Sequence, residues 1–189
     1  MTLQPPAALE AFVEACIELA PANDHASVSE LLGELIADHE TFAATVAPFE
    51  EAEPSPCGWR LGGEHVLHHS DDLTVMVLET LPGVRQPPHD HGMQAIIGVF
   101  EGCEEQRFFA RSDRGVAVAA ERNLEPGDVI VLGERAIHAI SSPTGRAARA
   151  LHVYFGNIYD VERSLFHPDT LEPHPYTSEL YDEFCRPAA

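Results

Sequence analysis

The sequence has little positive charge for its length. Its 189 residues include 11 basic and 31 acidic side chains, which gives a formal net charge of −20 at pH 7. A surface of this sign repels phosphate backbones and anionic lipid head groups, because bringing like charges together raises the free energy. The composition therefore argues against a nucleic-acid-binding protein and against a protein that docks on membranes.

Long apolar runs and paired cysteines are also lacking. No run approaches the roughly 20 residues that a membrane helix needs, and the stretch LEAFVEACIELA carries three glutamates and no leading basic residue, unlike an export signal. No Cys-x-x-Cys pair is present, which disfavours a zinc knuckle or a redox motif. We therefore expect a reduced, cytoplasmic protein. The four scattered cysteines are Cys16, Cys57, Cys103 and Cys185.

The N-terminal region shows the apolar spacing of amphipathic helices. LEAFVEACIELA and SVSELLGELIADH repeat apolar residues at i, i+3, i+4 and i+7, and ETFAATVAPF fits a third, shorter helix. Ser27 and Glu30 have the spacing of a capping box, which predicts the start of the second helix. We expect residues 1–52 to form a helical layer that packs on the main domain.

After the breaker cluster EPSPCG, the pattern changes to that of β-strands. About eight short runs rich in Val, Ile and Phe follow one another with turn residues between them and no intervening helix. This spacing indicates a β-sandwich or barrel within 53–189, with an irregular or partly helical extension from Glu162. The runs are EHVLHH, LTVMVLET, QAIIGVFEG, EQRFFAR, VAVAAERNLE, DVIVLG, HAISS and RALHVYFGN.

The segment PPHDHG predicts a metal site. On a strand, His89 and His91 share one face while Asp90 points to the other. Gly92 is expected to leave one side of the site open. His138 follows an apolar strand and a glycine turn and is the best candidate for a third ligand. Three neutral imidazoles suit iron or zinc, so the ligand set alone leaves the metal open.

Two further segments carry candidate functional groups. His152 and Tyr154 share a strand face and can form a hydrogen-bond relay for protons, or they can fill core positions. Arg163 can clamp a substrate carboxylate through a bidentate contact, or it can form an ordinary surface ion pair. Cys103 is expected to be inert, because neighbouring carboxylates raise a thiol pKa. A solvated strand end is the simpler interpretation of His65, His68 and His69.

With these residues identified, the chain resembles the cupin superfamily, and within it the bacterial thiol dioxygenases of the cysteine and 3-mercaptopropionate type. PPHDHG…IGVFEG, with Gly83 and Gly102, resembles the first cupin motif, and EPGDVIVLGERAIH resembles the second. The resemblance covers about residues 63–163. It implies a double-stranded β-helix, a jelly-roll barrel, behind the N-terminal helical layer. It also implies one Fe(II) per chain held by His89, His91 and His138, and a mercapto acid and O₂ as substrates.

The chain departs from the resembled pattern at several places, among them the proline and glycine of the second motif, which correspond to Gly133 and Arg135. The glutamate that many cupins carry after the second histidine corresponds to Ala95 or Ile96, which leaves three histidines as ligands. The family relay of serine, histidine and tyrosine matches at His152 and Tyr154, but the serine position is Ala150. Arg163 matches the carboxylate-binding arginine of the mercaptopropionate type. The alternatives are another metal-dependent cupin, an isomerase or a dioxygenase of a non-thiol substrate, and a non-catalytic metal-binding cupin.

Overall fold

The computed structural model describes residues 6–50, 54–113, 115–143 and 145–188. These residues form four α-helices, a short 3-10 turn and thirteen β-strands. The helices are α1 (Ala7–Leu19), α2 (His25–Leu35), α3 (His39–Thr45) and α4 (Ser178–Phe184), and the turn is Ala20–Ala22. The strands are β1 (Glu64–His69), β2 (Thr74–Thr80), β3 (Val84–Arg85), β4 (His89–Asp90), β5 (Ala95–Glu101), β6 (Glu104–Ser112), β7 (Gly115–Leu124), β8 (Val129–Leu132), β9 (Ile137–Ser141), β10 (Ala148–Tyr154), β11 (Ser164–Phe166), β12 (Pro173–Pro175) and β13 (Arg186–Pro187).

The three N-terminal helices form where the periodicity predicts them, but the capping box is wrong. The N-cap of α2 is Asp24, whose carboxylate accepts a hydrogen bond from the Ser27 backbone N–H at 3.1 Å and one from the Ser27 hydroxyl at 2.8 Å. Aspartate is as good an N-cap residue as serine, and Asp24 accepts from the amide three residues on, so the helix begins earlier than predicted. The predicted boundary between 52 and 53 lies outside the described residues. No helix in the described ranges has the length and apolar character to cross a bilayer.

The strands form two antiparallel sheets. One has five strands in the order β1-β2-β10-β5-β8, and the other has eight, in which β12-β11-β4-β9-β3-β13 are neighbours and β6 joins β7 to β9. All eight runs predicted as strands are strands. The additional β3, β4, β11, β12 and β13 are two or three residues long. Strands this short carry too few residues to show a period of two.

The central strands β10 and β5 of the five-stranded sheet are buried on both faces, so their side chains pack alternately on either side of the sheet. On β10, Leu151 and Val153 belong to the apolar cluster with the N-terminal helices, whereas Ala150 and Tyr154 belong to the cluster between the sheets. The alternation follows from the two-residue period of a strand. His152 therefore faces the interior with its neighbours Ala150 and Tyr154. The predicted mainly β fold with an N-terminal helical layer is confirmed.

Candidate metal centre and its cavity

Three buried histidines meet between the sheets. His89 on β4 and His138 on β9 are directly opposite each other in the antiparallel register, and His91 follows β4 by one residue. One ring nitrogen from each lies within 4.8 Å of the others. The Nε2 atoms of His91 and His138 are 3.1 Å apart. Two imidazole nitrogens bound to one ion at about 2.1 Å would lie roughly 3.0 to 3.4 Å apart, depending on the coordination angle, so the observed separation fits a shared metal.

The outer hydrogen bonds of two of these rings fix their tautomers. His89 Nδ1 lies 3.0 Å from the Pro87 carbonyl oxygen, which can only accept, so Nδ1–H donates and Nε2 keeps its lone pair. His138 Nδ1 lies 2.7 Å from Gln106 Oε1. The amide nitrogen of Gln106 donates in turn to Glu104 Oε2 at 2.9 Å, which orients the amide so that its oxygen faces His138. Such outer partners orient metal-binding histidines in known metal sites.

Burial keeps all three rings neutral. It lowers the pKa of His89 to about 4, and the pKa values of His91 and His138 lie well below the usual range, mainly through burial and then through neighbouring histidines. A metal binds the neutral form of imidazole, so the rings are in the ligand state at neutral pH. These three histidines could therefore bind a metal ion, and the donor set fits the predicted Fe(II) as well as zinc.

The residues around His91 have definite structural roles. Asp90 points away from the cluster, as predicted, because its carboxylate accepts from the Ser164 backbone N–H at 2.7 Å and from Arg111 at 3.0 Å. The structure gives a packing reason for the glycine at position 92, while the expectation that it leaves one side of the site open stays a prediction. Gly92 has φ +66°, and a Cβ there would lie 2.9 Å from a methyl group of Val161. Glycine is required because the following segment packs directly against it.

The five-stranded sheet contributes His152 and Tyr154 to the opposite side of the cluster. His152 Nδ1 and the Tyr154 hydroxyl are 2.9 Å apart, and the Tyr154 ring centroid is 5.0 Å from that of His91. Burial lowers the pKa of His152 to about 3 and raises the pKa of Tyr154 above its usual range. His152 Nε2 is buried and has no hydrogen-bond partner among the described residues. Ala150, two residues earlier on the same strand face, has no hydroxyl to offer it.

A cavity of about 300 Å³ is lined by His89 and His91 of the cluster and by His152 and Tyr154. Arg163 lies on its wall, with the guanidinium carbon 3.6 Å from the centre of the Tyr176 ring. The ion pairs found among the described residues do not include Arg163, so the surface ion pair considered for it is not formed there. Tyr176 and Tyr181, from the C-terminal segment, cover the cavity beside His89, with ring centroids 6.5 and 6.3 Å from it.

Other candidates from the sequence lie elsewhere. The residues that line the cavity do not include the three histidines of β1. His69 Nε2 is bonded to Asn157 Oδ1 at 2.8 Å, and His68 Nε2 lies 3.4 Å from the Ser70 hydroxyl. The pKa of the Cys103 thiol is raised to about 11, first by burial and then by Glu125 and its neighbours, which agrees with an inert thiol.

Several residues of the site were not identified from the sequence. Glu104 and Gln106 are two residues apart on β6 and therefore share one face of the strand. The sequence alone does not show that this face points to the interior. The tyrosines of the C-terminal segment carry no periodic signal, because that segment is irregular apart from α4. Glu64 lies at the start of a strand and looks like an ordinary solvated acid. The missed residues are Glu64, Glu104, Gln106, Tyr176 and Tyr181.

Comparison with known proteins concerns the fold alone. No family model matches the chain. A Klebsiella pneumoniae protein with a double-stranded β-helix domain is 18% identical, with 64% of this chain and 96% of that one covered and a TM-score of 0.44. A Desulfitobacterium hafniense protein of the cupin superfamily is 16% identical over 61% and 87%, with a TM-score of 0.45.

A DMSP lyase from Ruegeria pomeroyi is 18% identical, with 78% of this chain and 71% of that one covered and a TM-score of 0.49. Identities this low carry no information on ligand or reaction. The described residues thus form two facing antiparallel β-sheets behind an N-terminal helical layer, with a three-histidine cluster between the sheets.

Proposed function

We propose that this protein is a non-haem iron thiol dioxygenase that oxidises a small mercapto acid, of the 3-mercaptopropionate or cysteine type, to its sulfinate. The observation that carries the proposal is a cluster of three neutral imidazoles, two of which, His89 and His91, line a small cavity that is also lined by the hydrogen-bonded pair His152 and Tyr154. A divalent ion held by three neutral ligands keeps its full double positive charge, which favours an anionic sulfur ligand.

The overall reaction needs no further reductant. In R–SH + O₂ → R–SO₂H, both oxygen atoms form bonds to sulfur, which loses four electrons while O₂ gains four. One Fe(II) held by the three histidines would supply the binding of thiolate and O₂ and the electron transfer between them. The remaining contributions come from the protein, which binds the substrate, orients it and holds protons.

Arg163 is the proposed carboxylate-binding residue. Its guanidinium is held against the Tyr176 ring, and the backbone N–H of Tyr176 donates to the Arg163 carbonyl at 3.0 Å. A stacked guanidinium keeps its planar edge available, and that edge binds a carboxylate through two parallel hydrogen bonds. Because described acidic side chains do not lie within ion-pair distance of it, a substrate carboxylate need not displace a protein partner.

His152 and Tyr154 are proposed to orient the reacting groups by hydrogen bonding. Burial raises the pKa of the Tyr154 phenol, so the phenol keeps its proton, and a His152 pKa of about 3 keeps the imidazole neutral. A neutral imidazole whose Nδ1–H donates to the phenol oxygen leaves the phenol hydrogen free to donate into the cavity. The pair then supports substrate or oxygen by a hydrogen bond rather than by releasing a proton at neutral pH.

Metal analysis combined with an oxygen electrode tests this proposal. Iron-loaded protein is assayed with 3-mercaptopropionate, cysteine and cysteamine, and the sulfinate is identified by mass. We expect O₂ uptake with at least one acid-bearing thiol, and its loss in His138→Ala, while His68→Ala on β1 retains it. Folded, iron-loaded protein that consumes no O₂ with any of these thiols would refute the assignment.

One observation favours a second candidate, another metal-dependent cupin enzyme acting on a non-thiol substrate. Among the described residues, His152 Nε2 has no partner where the resembled relay has a serine, and Ala150 supplies none. A different substrate with its own polar group at that point would satisfy the nitrogen. Zinc or manganese in the purified protein, together with inactivity toward thiols, would favour this candidate. Retained metal with no turnover of any tested substrate would favour a non-catalytic binding cupin.

A further inference from the structure

A second cavity, of about 390 Å³, lies on the outer face of the eight-stranded sheet. On β9, His138 belongs to the metal cluster and Ile140 lines the metal cavity, whereas Ala139 between them lines the second cavity. On β6, Gln106 is hydrogen-bonded to His138, and Arg107 beside it lines the second cavity. Neighbouring residues of a strand point to opposite faces, so the two cavities lie on opposite faces of one sheet.

Three arginines line this outer cavity: Arg85 on β3, Arg107 on β6 and Arg186 on β13. The chain has 11 basic residues against 31 acidic ones, and all of the basic residues are arginines. Among the described residues that line the cavity, Asp169 is the single acid. The walls therefore carry the opposite sign to the chain as a whole, and a cavity lined mainly by one sign of charge attracts the other.

The strand register places two of these arginines face to face. In the ladder between β3 and β13, Arg85 is directly opposite Arg186. Like charges in this position destabilise a strand pair. Each arginine has its own acidic partner, Glu105 at 2.9 Å from Arg85 and Asp169 at 3.0 Å from Arg186. An anion in the cavity that both arginines line would reduce the repulsion between them further.

The ion pairs of the described structure leave guanidinium donors available, because each guanidinium carries five N–H groups. Arg85 donates to its glutamate through Nη2, and Arg107 donates to Glu121 through Nε at 2.6 Å. Arg186 donates to two backbone carbonyls through Nη1 and to Asp169 through Nη2. The acidic partners are exposed or half-buried, and pairs of this kind contribute little. An anion can therefore bind to the remaining N–H groups while the ion pairs persist.

Apolar side chains complete the outer cavity. Phe109 on β6 is opposite Val118 on β7 in the strand register, and both line the cavity together with Leu171. Val118 is 53% exposed, which places it at the rim. Sites for small molecules are commonly cavities of about 300 to 1,000 Å³ that combine apolar walls with a few charged groups. The outer cavity has both properties.

We propose that the outer cavity binds a small organic anion with at least two negative charges. Arg85, Arg107 and Arg186 would bind its charged oxygen atoms, and Phe109 and Val118 would contact its apolar part. The class comprises polycarboxylates and esters of phosphate or sulfate, whose oxygens accept parallel hydrogen bonds from a guanidinium. The inference is independent of the proposed dioxygenase function, because it involves neither the three histidines nor their cavity.

Calorimetry on the full chain tests this site at an ionic strength of about 20 mM, where salt screens charges weakly. The probes are tricarballylate, with three carboxylates, inorganic sulfate, and acetate, with a single charge. Arg107→Gln is compared with Arg122→Gln, which makes the same change in net charge on β7 outside the cavity. Arg163→Gln, which removes the arginine of the metal cavity, shows whether a carboxylate binds there instead.

We expect tricarballylate or sulfate to bind the native protein at least about tenfold more tightly than acetate. Arg107→Gln should raise the Kd about tenfold, as for the loss of a charge-assisted hydrogen bond. Arg122→Gln and Arg163→Gln should stay within about twofold of the native value. Tighter binding of tricarballylate would identify polycarboxylates as the ligand class, and tighter binding of sulfate would identify esters of phosphate or sulfate.

Three results would overturn the site. They are no binding of tricarballylate and sulfate up to about 10 mM, equal weakening in Arg107→Gln and Arg122→Gln, and weakening in Arg163→Gln alone. Val118→Glu keeps the inference testable if Arg107→Gln fails to fold, because this change lies at the exposed rim. The added carboxylate should repel the anion and raise the Kd about tenfold relative to Val118→Gln; equal affinity in these two variants would overturn the site as well.

Discussion

Replacing Gln106 by leucine should weaken metal binding although Gln106 is not a ligand. Gln106 Oε1 accepts from His138 Nδ1 at 2.7 Å, and all the groups involved are fully buried. Removing the acceptor leaves a buried N–H unpaired, at a cost of about 1–3 kcal/mol. Outer partners of metal-binding histidines are worth about 10- to 100-fold in affinity, or roughly 1.4 to 2.7 kcal/mol. The second figure concerns metal binding itself, so we expect a Kd for zinc that is 10- to 100-fold higher.

The same substitution should also destabilise the metal-free protein, and the two effects can be separated. Glu104 has Gln106 as its hydrogen-bond partner, and its Oε1 already has none in the described structure. Gln106→Leu therefore isolates a buried carboxyl group. In the double variant Glu104→Leu/Gln106→Leu that group is gone, so we expect stability to recover by about 1–3 kcal/mol while metal affinity stays low.

Chelator competition for zinc and denaturant unfolding of the metal-free protein measure the two quantities. Gln86→Leu is the matched control, because Gln86 also lines the cavity and, in the described part of the chain, its side chain makes no hydrogen bond to a ligand histidine. Native-like zinc affinity in Gln106→Leu, or recovery of affinity in the double variant, would show that the His138 tautomer does not depend on this contact.

Three further predictions follow from the site. Burial raises the pKa of Glu104 from 4.5 to about 7, so the folded state holds this proton more tightly than the unfolded state. The stabilising contribution is therefore complete at low pH and is lost between about pH 4.5 and 7. Glu104→Gln should match the native stability near pH 5 and exceed it by about 3 kcal/mol near pH 8 in unfolding titrations of metal-free protein, whereas a pH-independent difference would contradict this. Ala150→Ser supplies a hydroxyl beside His152 and should raise kcat for thiol oxidation about tenfold; an unchanged kcat would show that the nitrogen needs no partner. Arg163→Lys loses the bidentate contact and should raise KM for 3-mercaptopropionate about tenfold while leaving cysteamine, which has no carboxylate, unaffected; equal effects on both thiols would remove Arg163 from carboxylate binding.

The sequence predicted those elements whose local residue pattern follows directly from their burial. The long strands were predictable because Val, Ile and Phe recur between turn residues, and the spacing of His89 and His91 on one face depends on strand geometry alone. Gly102 in the first resembled motif also has a physical reason: its φ is +73°, and a Cβ there would lie 2.3 Å from the Ala147 carbonyl oxygen. A backbone position that only glycine can occupy is therefore visible in the sequence as a glycine.

The remaining features depend on contacts between distant segments. That His138 lies opposite His89 is a matter of register between β4 and β9, and β4 is only two residues long. The helix α2 begins earlier than predicted because Asp24 and Ser27 are both good N-cap residues, and N-cap preference alone does not distinguish them. The tyrosines near the C-terminus reach the cavity through tertiary packing, and no local pattern records where an irregular segment returns to the barrel.

The cavity wall formed by Tyr176 and Tyr181 follows the three histidines in the sequence, and this affects the order in which the parts of the site are synthesised. Tyr176 and Tyr181 cover the cluster from a segment that is anchored when β13 pairs with β3 and when the Cys57 thiol donates to the Asp182 carbonyl at 2.9 Å. Translation proceeds from the N-terminus, and early segments emerge first. All three histidines therefore leave the ribosome before the wall that encloses them. A metal can enter while the cluster is still open on that side, so acquisition of the ion need not wait for, or pass through, the finished entrance.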